Sequence, residues 1–370
     1  MLCLVTLTTA KGPDLTSRNK RATISRIVEL SCERYDRFIM IDHDLETWYR
    51  GKHSSVVSGY RLSRYASKRN ACAGTLKEEM LIDWRNRMDE KSLIDLIEEK
   101  LEREDIDLPI FNQVALKLQQ QLTRGDYSLA DIAKIIHRDQ GLASDVLKIA
   151  NSVFYAGVKP VKTIQDATVR LGAKTIYNLV TAVTQKQLYR TRKKKYDHWA
   201  TPLWSHSLGV AFAARWLSLH LRLGQLTDEA FMAGLLHDIG KLLLLKAIED
   251  LDEPNTAPGR ISEDLVDEIL ETMHTYHGER FMRRTNIPDI YCEVAGMHHD
   301  PEIDSEHGIL NLTRLGNLAC RRLGIGLKRE PELRLDTTSE AINLNVNDLI
   351  LDGLLKRLEE YDEWLGKFLA

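Results

Sequence analysis

PLWSHSLGVAFAARWLSLHL, residues Pro202–Leu221, is the stretch whose reading decides the fold class. Leu203, Ser207, Val210, Ala214, Leu217 and Leu221 recur at intervals of 4, 3, 4, 3 and 4, which is one face of a long buried helix. Pro202 reads as part of the first helical turn, where a missing N–H is tolerated. Downstream, Thr227 followed by Asp228 and Glu229 opens the next helix. Upstream, Ser128-Leu-Ala-Asp131 and Thr163-Ile-Gln-Asp166 each place a hydroxyl three residues before an acid, an arrangement that satisfies free N–H groups at a helix start. After residue 88 no alternating β-branched run of useful length occurs, so the expected class is all-α.

The 370 residues suffice for two or three structural units. Apolar residues at 43% and charged residues at 28% describe an ordinary globular chain. The net charge of −3 gives no general attraction to nucleic acid or to an anionic membrane. It conceals an asymmetry: residues 1–87 carry 16 Lys/Arg against 10 Asp/Glu, whereas residues 88–370 carry 35 against 44. Residues 1–87 are expected to be a poorly ordered basic leader, either a start placed too early or a regulatory extension, with one strand-like stretch at Arg37–Asp42. Leu93, Ile94, Ile97 and Leu101 then place a helix within 88–107.

Cys3, Cys32, Cys72, Cys292 and Cys320 form no CxxC pair, which argues against a disulfide framework or a thiolate zinc site and fits a reducing cytoplasm. MLCLVTLTTA lacks a basic n-region and a cleavage motif, and no apolar run reaches the 18 residues of a membrane span. The basic run Arg190–Lys195 is read as a solvated hinge between subdomains. It lacks the aromatic platform or recognition-helix pattern that nucleic-acid binding would need.

Five of the twelve histidines keep chemically meaningful company. In AGLLHDIGK, His237 and Asp238 adjoin on a predicted helix about 100° apart around its axis. His206 lies on the preceding helix, His274 on the following one, and His298-His299-Asp300 on the next. Imidazole and carboxylate together suit iron, manganese or zinc, with positions left open for water. Trp204 and Trp216 read as core anchors.

The pieces LPIFNQVALKL, IIHRDQGLASDVLKIANSVFY, TIQDATVRLGAKTIYNLV, WSHS, FMAGLLHDIGK, HTYHG, IPD and MHHDPE, taken together, resemble the HDOD family of signalling output domains, relatives of the HD phosphohydrolases. The likeness runs from about Leu108 to Gly326, with Asn151-Ser152 before an aromatic as its most distinctive mark. It implies a helical subdomain at 108–195 and an HD-like helical subdomain at 196–327; residues 328–370 are expected to form a C-terminal helical extension. By similarity to metal-binding HD domains the ligands fall on His206, His237 and Asp238, with Asn317 where a final acid would stand. Further ligands in related cyclic-di-GMP phosphodiesterases correspond to His274, His298 and His299. The Gly-Tyr-Pro signature of those enzymes is missing after the histidine pair. Lys241 is the candidate phosphate contact, although a helix-surface lysine is its plainer reading, and Asn151 and Ser152 are expected to brace a turn.

The resemblance therefore implies a cytoplasmic signal-transduction module that binds a signalling protein partner or a nucleotide-type ligand, with little or no hydrolysis. The alternative is a metal-dependent phosphohydrolase acting on a nucleotide or cyclic dinucleotide. No membrane is expected as a partner, and nucleic acid is disfavoured.

Overall fold

The computed structural model of the chain describes residues 5–6, 26–32, 35–42, 93–103, 111–125, 127–155, 159–252, 261–302 and 305–369. The chain divides into two units, Met1–Thr75 and Leu76–Ala370. In the first, β1 (Val5–Thr6), β2 (Arg26–Cys32) and β3 (Tyr35–Asp42) form an antiparallel sheet in that order. β2 and β3 pair with Arg26 opposite Asp42 and Leu30 opposite Phe38. The strand-like stretch at 37–42 falls within β3, while β2, RIVELSC, does not alternate apolar and polar residues strictly enough to stand out in the sequence. The rest of the 1–87 leader lies outside the described residues, as does Met88.

The second unit is all-α: among its described residues there is no strand. α1 (Leu93–Glu102) buries Ile97 and Leu101. α2 (Gln113–Arg124) starts where the Asn112 side chain accepts from the Ala115 N–H. α3 (Leu129–His137) has the expected reciprocal cap between Ser128 and Asp131. α4 (Gln140–Ala150) is capped by Asp139 and α5 (Ile164–Leu171) by Thr163. α6 (Ala173–Gln185) is buried along nearly its whole length, as a helix packed on several sides must be.

The Arg190–Lys195 run comes after α6; Arg190, Arg192, Lys194 and Lys195 are exposed, as a solvated run should be, but its backbone is held in place rather than left as a free hinge. The Glu249 carboxylate, 1% exposed, accepts from the backbone N–H groups of Arg192 and Lys193, the latter at 2.7 Å, and Lys195 pairs with Asp252 at 2.5 Å. Acids that sequence alone could not place beside the run fasten it down.

α7 (Asp197–His220) is the central helix, buried continuously from Leu203 to Ala214. It begins five residues before Pro202, so that proline lies inside the helix rather than in its first turn. α8 (Thr227–Leu236), α9 (Ile239–Leu251) and α12 (Gly308–Leu323) pack against it, while α10 (Glu263–Arg284) lies on α9 and α11 (Asp289–Met297) on α10 and α8. Gly240 lets α9 lie against α10: a Cβ there would sit 1.9 Å from the His274 carbonyl oxygen.

α13 (Ser339–Asn343) and α14 (Asp348–Leu369) complete the described helices. α14 covers α7, with the Tyr361 hydroxyl donating to the Ser205 carbonyl at 2.9 Å and Phe368 stacked 6.0 Å from Trp204. Trp204 is a core anchor whose Nε1–H donates to the Ala182 carbonyl at 3.3 Å. Trp216 is only partly buried; it packs on the core and stacks on His220. No described helix is long and apolar enough to cross a membrane.

Candidate metal centre

The His237-Asp238 pair does not ride on one helix, contrary to the sequence expectation. α8 stops at Leu236 and α9 starts at Ile239, with His237 closing the first and Asp238 opening the second. The break turns both side chains into the space between α7 and α10, where neighbouring histidines meet them.

Two groups of ligand-type atoms result: His206, His237 and Asp238 in one, and His274, His298 and His299 in the other. Asp238 lies between them. Its Oδ2 is 3.4 Å from His237 Nε2 and 3.7 Å from His206 Nε2, while its Oδ1 is 3.4 Å from His274 Nε2 and 3.3 Å from His298 Nε2. His299, at the edge, has its ring 4.2 Å from that of His298 and 5.2 Å from that of His274.

Four of the five imidazoles are fixed in one sense. His206 Nδ1 meets the Ile325 carbonyl at 2.8 Å, His237 Nδ1 the Gly234 carbonyl at 2.8 Å, and His274 and His298 Nδ1 the Glu271 and Ala295 carbonyls, both at 3.0 Å. A carbonyl can only accept, so each Nδ1 carries the hydrogen and each Nε2 offers a lone pair toward Asp238. In consequence His237 Nε2 and Asp238 Oδ1 are buried without a hydrogen-bond partner. Converging lone pairs around an ionised carboxylate are what a divalent cation requires, and outer carbonyls that lock imidazole orientation are its usual supports. The residues present fit a metal.

Burial disfavours charge on His206, His237 and His274, taking His274 down to about 3 and His237 well below the usual imidazole range. Burial alone would raise the Asp238 carboxyl. The Lys241 ammonium, in direct contact with it, outweighs burial and holds the group below the ordinary carboxylate range. The neutral imidazoles and the anionic carboxylate are thus in ligating form near neutral pH.

Lys241 is not a surface lysine: its Nζ donates to Asp238 Oδ2 at 2.8 Å, and its side chain is 13% exposed. Asn317, on α12, joins His206, Asp238, Lys241 and His299 around a cavity of about 130 Å³. Asp267, Glu271, Arg321 and Lys328 complete its polar lining; the sequence reading missed all four, although Glu271 stands one helical turn before His274. Asn151 and Ser152 are not at this cavity. The Asn151 amide exchanges two hydrogen bonds with the Val161 backbone, at 2.8 and 2.9 Å, bracing the connection to α5, and the Ser152 hydroxyl is buried without a partner.

The HDOD domain pattern matches residues 108–301, more than half of the chain. The protein belongs to the HDOD family. A crystallised HDOD domain protein of unknown function from Geobacter sulfurreducens shares 20% identity with a TM-score of 0.54, over 73% of this chain and 97% of that one. A crystallised protein from Shewanella amazonensis SB2B, whose name proposes a metal-dependent phosphohydrolase, shares 23% identity with a TM-score of 0.59, over 74% of this chain and 97% of that one. Both likenesses concern the fold. An uncharacterized protein of Treponema pallidum (strain Nichols) is 24% identical over 223 residues, 59% of this chain but only 43% of the relative's length.

Proposed function

We propose that this HDOD protein is a cytoplasmic signal-transduction module that holds divalent metal at the His206, His237, Asp238 and His274, His298, His299 groups, binds a signalling protein or a nucleotide-type ligand, and hydrolyses phosphoesters poorly or not at all. The observation that carries the last clause is the pairing of every Lys and Arg lining the cavity: Lys241 with Asp238 at 2.8 Å, Lys328 with Glu271 at 2.7 Å, and Arg321 with Glu330. An enzyme gains rate from donors aimed at charge that develops in the transition state. In the metal-free chain these cations are committed to carboxylates, and only the Arg321 Nε–H is left buried without a partner, so little donor capacity is free for that work.

Asn317 supports the same reading, since an amide oxygen can coordinate a metal but brings no charge to it and takes no proton from a water. A divalent ion, when bound, supplies Lewis-acid polarisation of an oxygen ligand. The chain's own part is to present Nε2 lone pairs from fixed imidazoles and to keep Asp238 ionised.

The second reading is a metal-dependent phosphohydrolase acting on a nucleotide or cyclic dinucleotide. It is favoured by the placement of Asp238 between two ligand groups, which suits a pair of ions acting on one phosphoryl group. Metal analysis of the purified protein followed by a turnover assay on cyclic dinucleotides and nucleotides, with manganese or iron supplied, separates the two. Bound metal without turnover is expected; rates on the order of one per second or faster would favour the enzyme.

A further inference from the structure

Three of the four fixed imidazoles take their orientation locally, from the carbonyl three residues earlier: Gly234 for His237, Glu271 for His274 and Ala295 for His298. His206 does not. Its Nδ1–H donates to Ile325, 119 positions away in the chain, at 2.8 Å. That carbonyl belongs to a short segment after α12, beyond the residues matched by the family pattern.

The segment is folded back on the end of α12. The Ile325 N–H donates to the Cys320 carbonyl at 2.9 Å and the Glu330 N–H to the Arg321 carbonyl at 2.8 Å, while the Ile325 side chain is buried. Gly326 passes flat against the His206 ring. Its φ is +126°, and a Cβ there would stand 3.0 Å from both Cβ and Nδ1 of His206. Two residues on, Lys328 Nζ meets Glu271 Oε1 at 2.7 Å, and it is the Glu271 carbonyl that fixes His274.

From this geometry we infer that Ile325–Lys328 is a positioning strap for the metal centre, one that orients His206 through the Ile325 carbonyl and ties it, through the Lys328–Glu271 ion pair, to the helix turn that orients His274. One loop thereby sets a ligand in each of the two groups. Ile325, Gly326 and Lys328 act through the imidazoles and touch no ion themselves. The inference rests on the metal-centre reading for its purpose, but its geometry concerns the metal-free chain.

The test is a two-bond proton–nitrogen correlation spectrum of the histidine rings in the full-length, metal-free protein, together with zinc titration against a chromophoric chelator. In the unmodified protein His206, His237, His274 and His298 are expected in the Nδ1–H form. Gly326→Ala should move His206 into a mixture of forms, leave His237 unchanged, and weaken zinc binding on the order of 10- to 100-fold. Lys328→Met, at a half-exposed side chain, should perturb His206 and His274 together and weaken zinc on the order of tenfold. If Gly326→Ala does not fold, Lys328→Met decides.

Unchanged ring patterns and unchanged zinc affinity in the folded variants would overturn the strap. So would an Nε2–H form of His206 in the unmodified protein. If the unmodified protein binds no zinc while the His206 pattern still changes in the variants, the metal reading falls and the strap stands.

Discussion

The Nε2 atoms of His274 and His298 stand 3.2 Å apart, and neither carries the hydrogen that would join them, because each ring's hydrogen is spent on a carbonyl of its own helix. Two lone pairs at that distance repel unless a cation lies between or beside them. With metal–nitrogen bonds of about 2.0–2.1 Å, two ligands of one ion fall roughly 3 Å apart, so the spacing suits a shared cation.

If the two groups hold separate ions, His298→Ala should remove one equivalent of bound metal and His206→Ala the other, while Asp238→Asn, which touches both, should remove both. Inductively coupled plasma mass spectrometry after equilibrium dialysis reads the stoichiometry. Loss of all metal from either histidine variant alone would instead mean a single ion shared by both groups.

Much of this was legible in the sequence because helices announce themselves locally. The Ser128 and Thr163 caps, the spacing in α7 and the histidines on successive helices all express short-range rules. The break between His237 and Asp238 was not, since no proline or capping side chain marks it; it arises from packing on neighbouring helices. Nor could the sequence show which acid meets which base. Glu249 fastening the basic run, and Lys241 turned inward to Asp238, are tertiary choices between residues whose surface and buried readings are equally plausible in one dimension. The carbonyls that orient the imidazoles leave no trace in the sequence, because every residue carries one.

Stability should fall as the metal-free protein is acidified. Burial holds His274 at about 3 and His237 well below its usual range, whereas in the unfolded chain both titrate near 6.5. Between those limits the unfolded chain binds protons that the folded chain refuses, so this contribution is full above about pH 6.5 and is lost as pH drops toward 3. Asp238, depressed in the folded state, adds a further loss once pH falls below its unfolded value of 3.8. Urea denaturation of chelator-treated protein from pH 7.5 to 4.5 should show a monotonic decline. A flat profile would mean that the imidazoles charge freely in the folded protein.

Asn317→Asp should tighten metal binding, on the order of tenfold, by placing a negative charge on the cavity wall beside His206 and Asp238. The position is nearly buried, so the same substitution should destabilise the metal-free form. Calorimetric titration with manganese or zinc checks the first effect and thermal melting without metal the second. An unchanged affinity would place Asn317 outside the reach of the ion.

Lys241 supplies the last and sharpest expectation. In the metal-free chain its ammonium is the group that balances the buried Asp238 carboxylate, the two side chains being 13% and 1% exposed. Removing one partner of a buried pair leaves an uncompensated charge, at a cost of about 3–5 kcal/mol. Lys241→Met keeps the length and apolar stem of the side chain, so the loss measured is mainly electrostatic. With zinc or manganese present in excess, a divalent charge beside Asp238 takes over that role, and the deficit should shrink by more than half. Melting of the unmodified protein and of Lys241→Met, each with chelator and with metal, gives a four-way comparison. An equal deficit in both conditions would show that Lys241 and a metal do not share the Asp238 carboxylate, and would move the ion away from Oδ2.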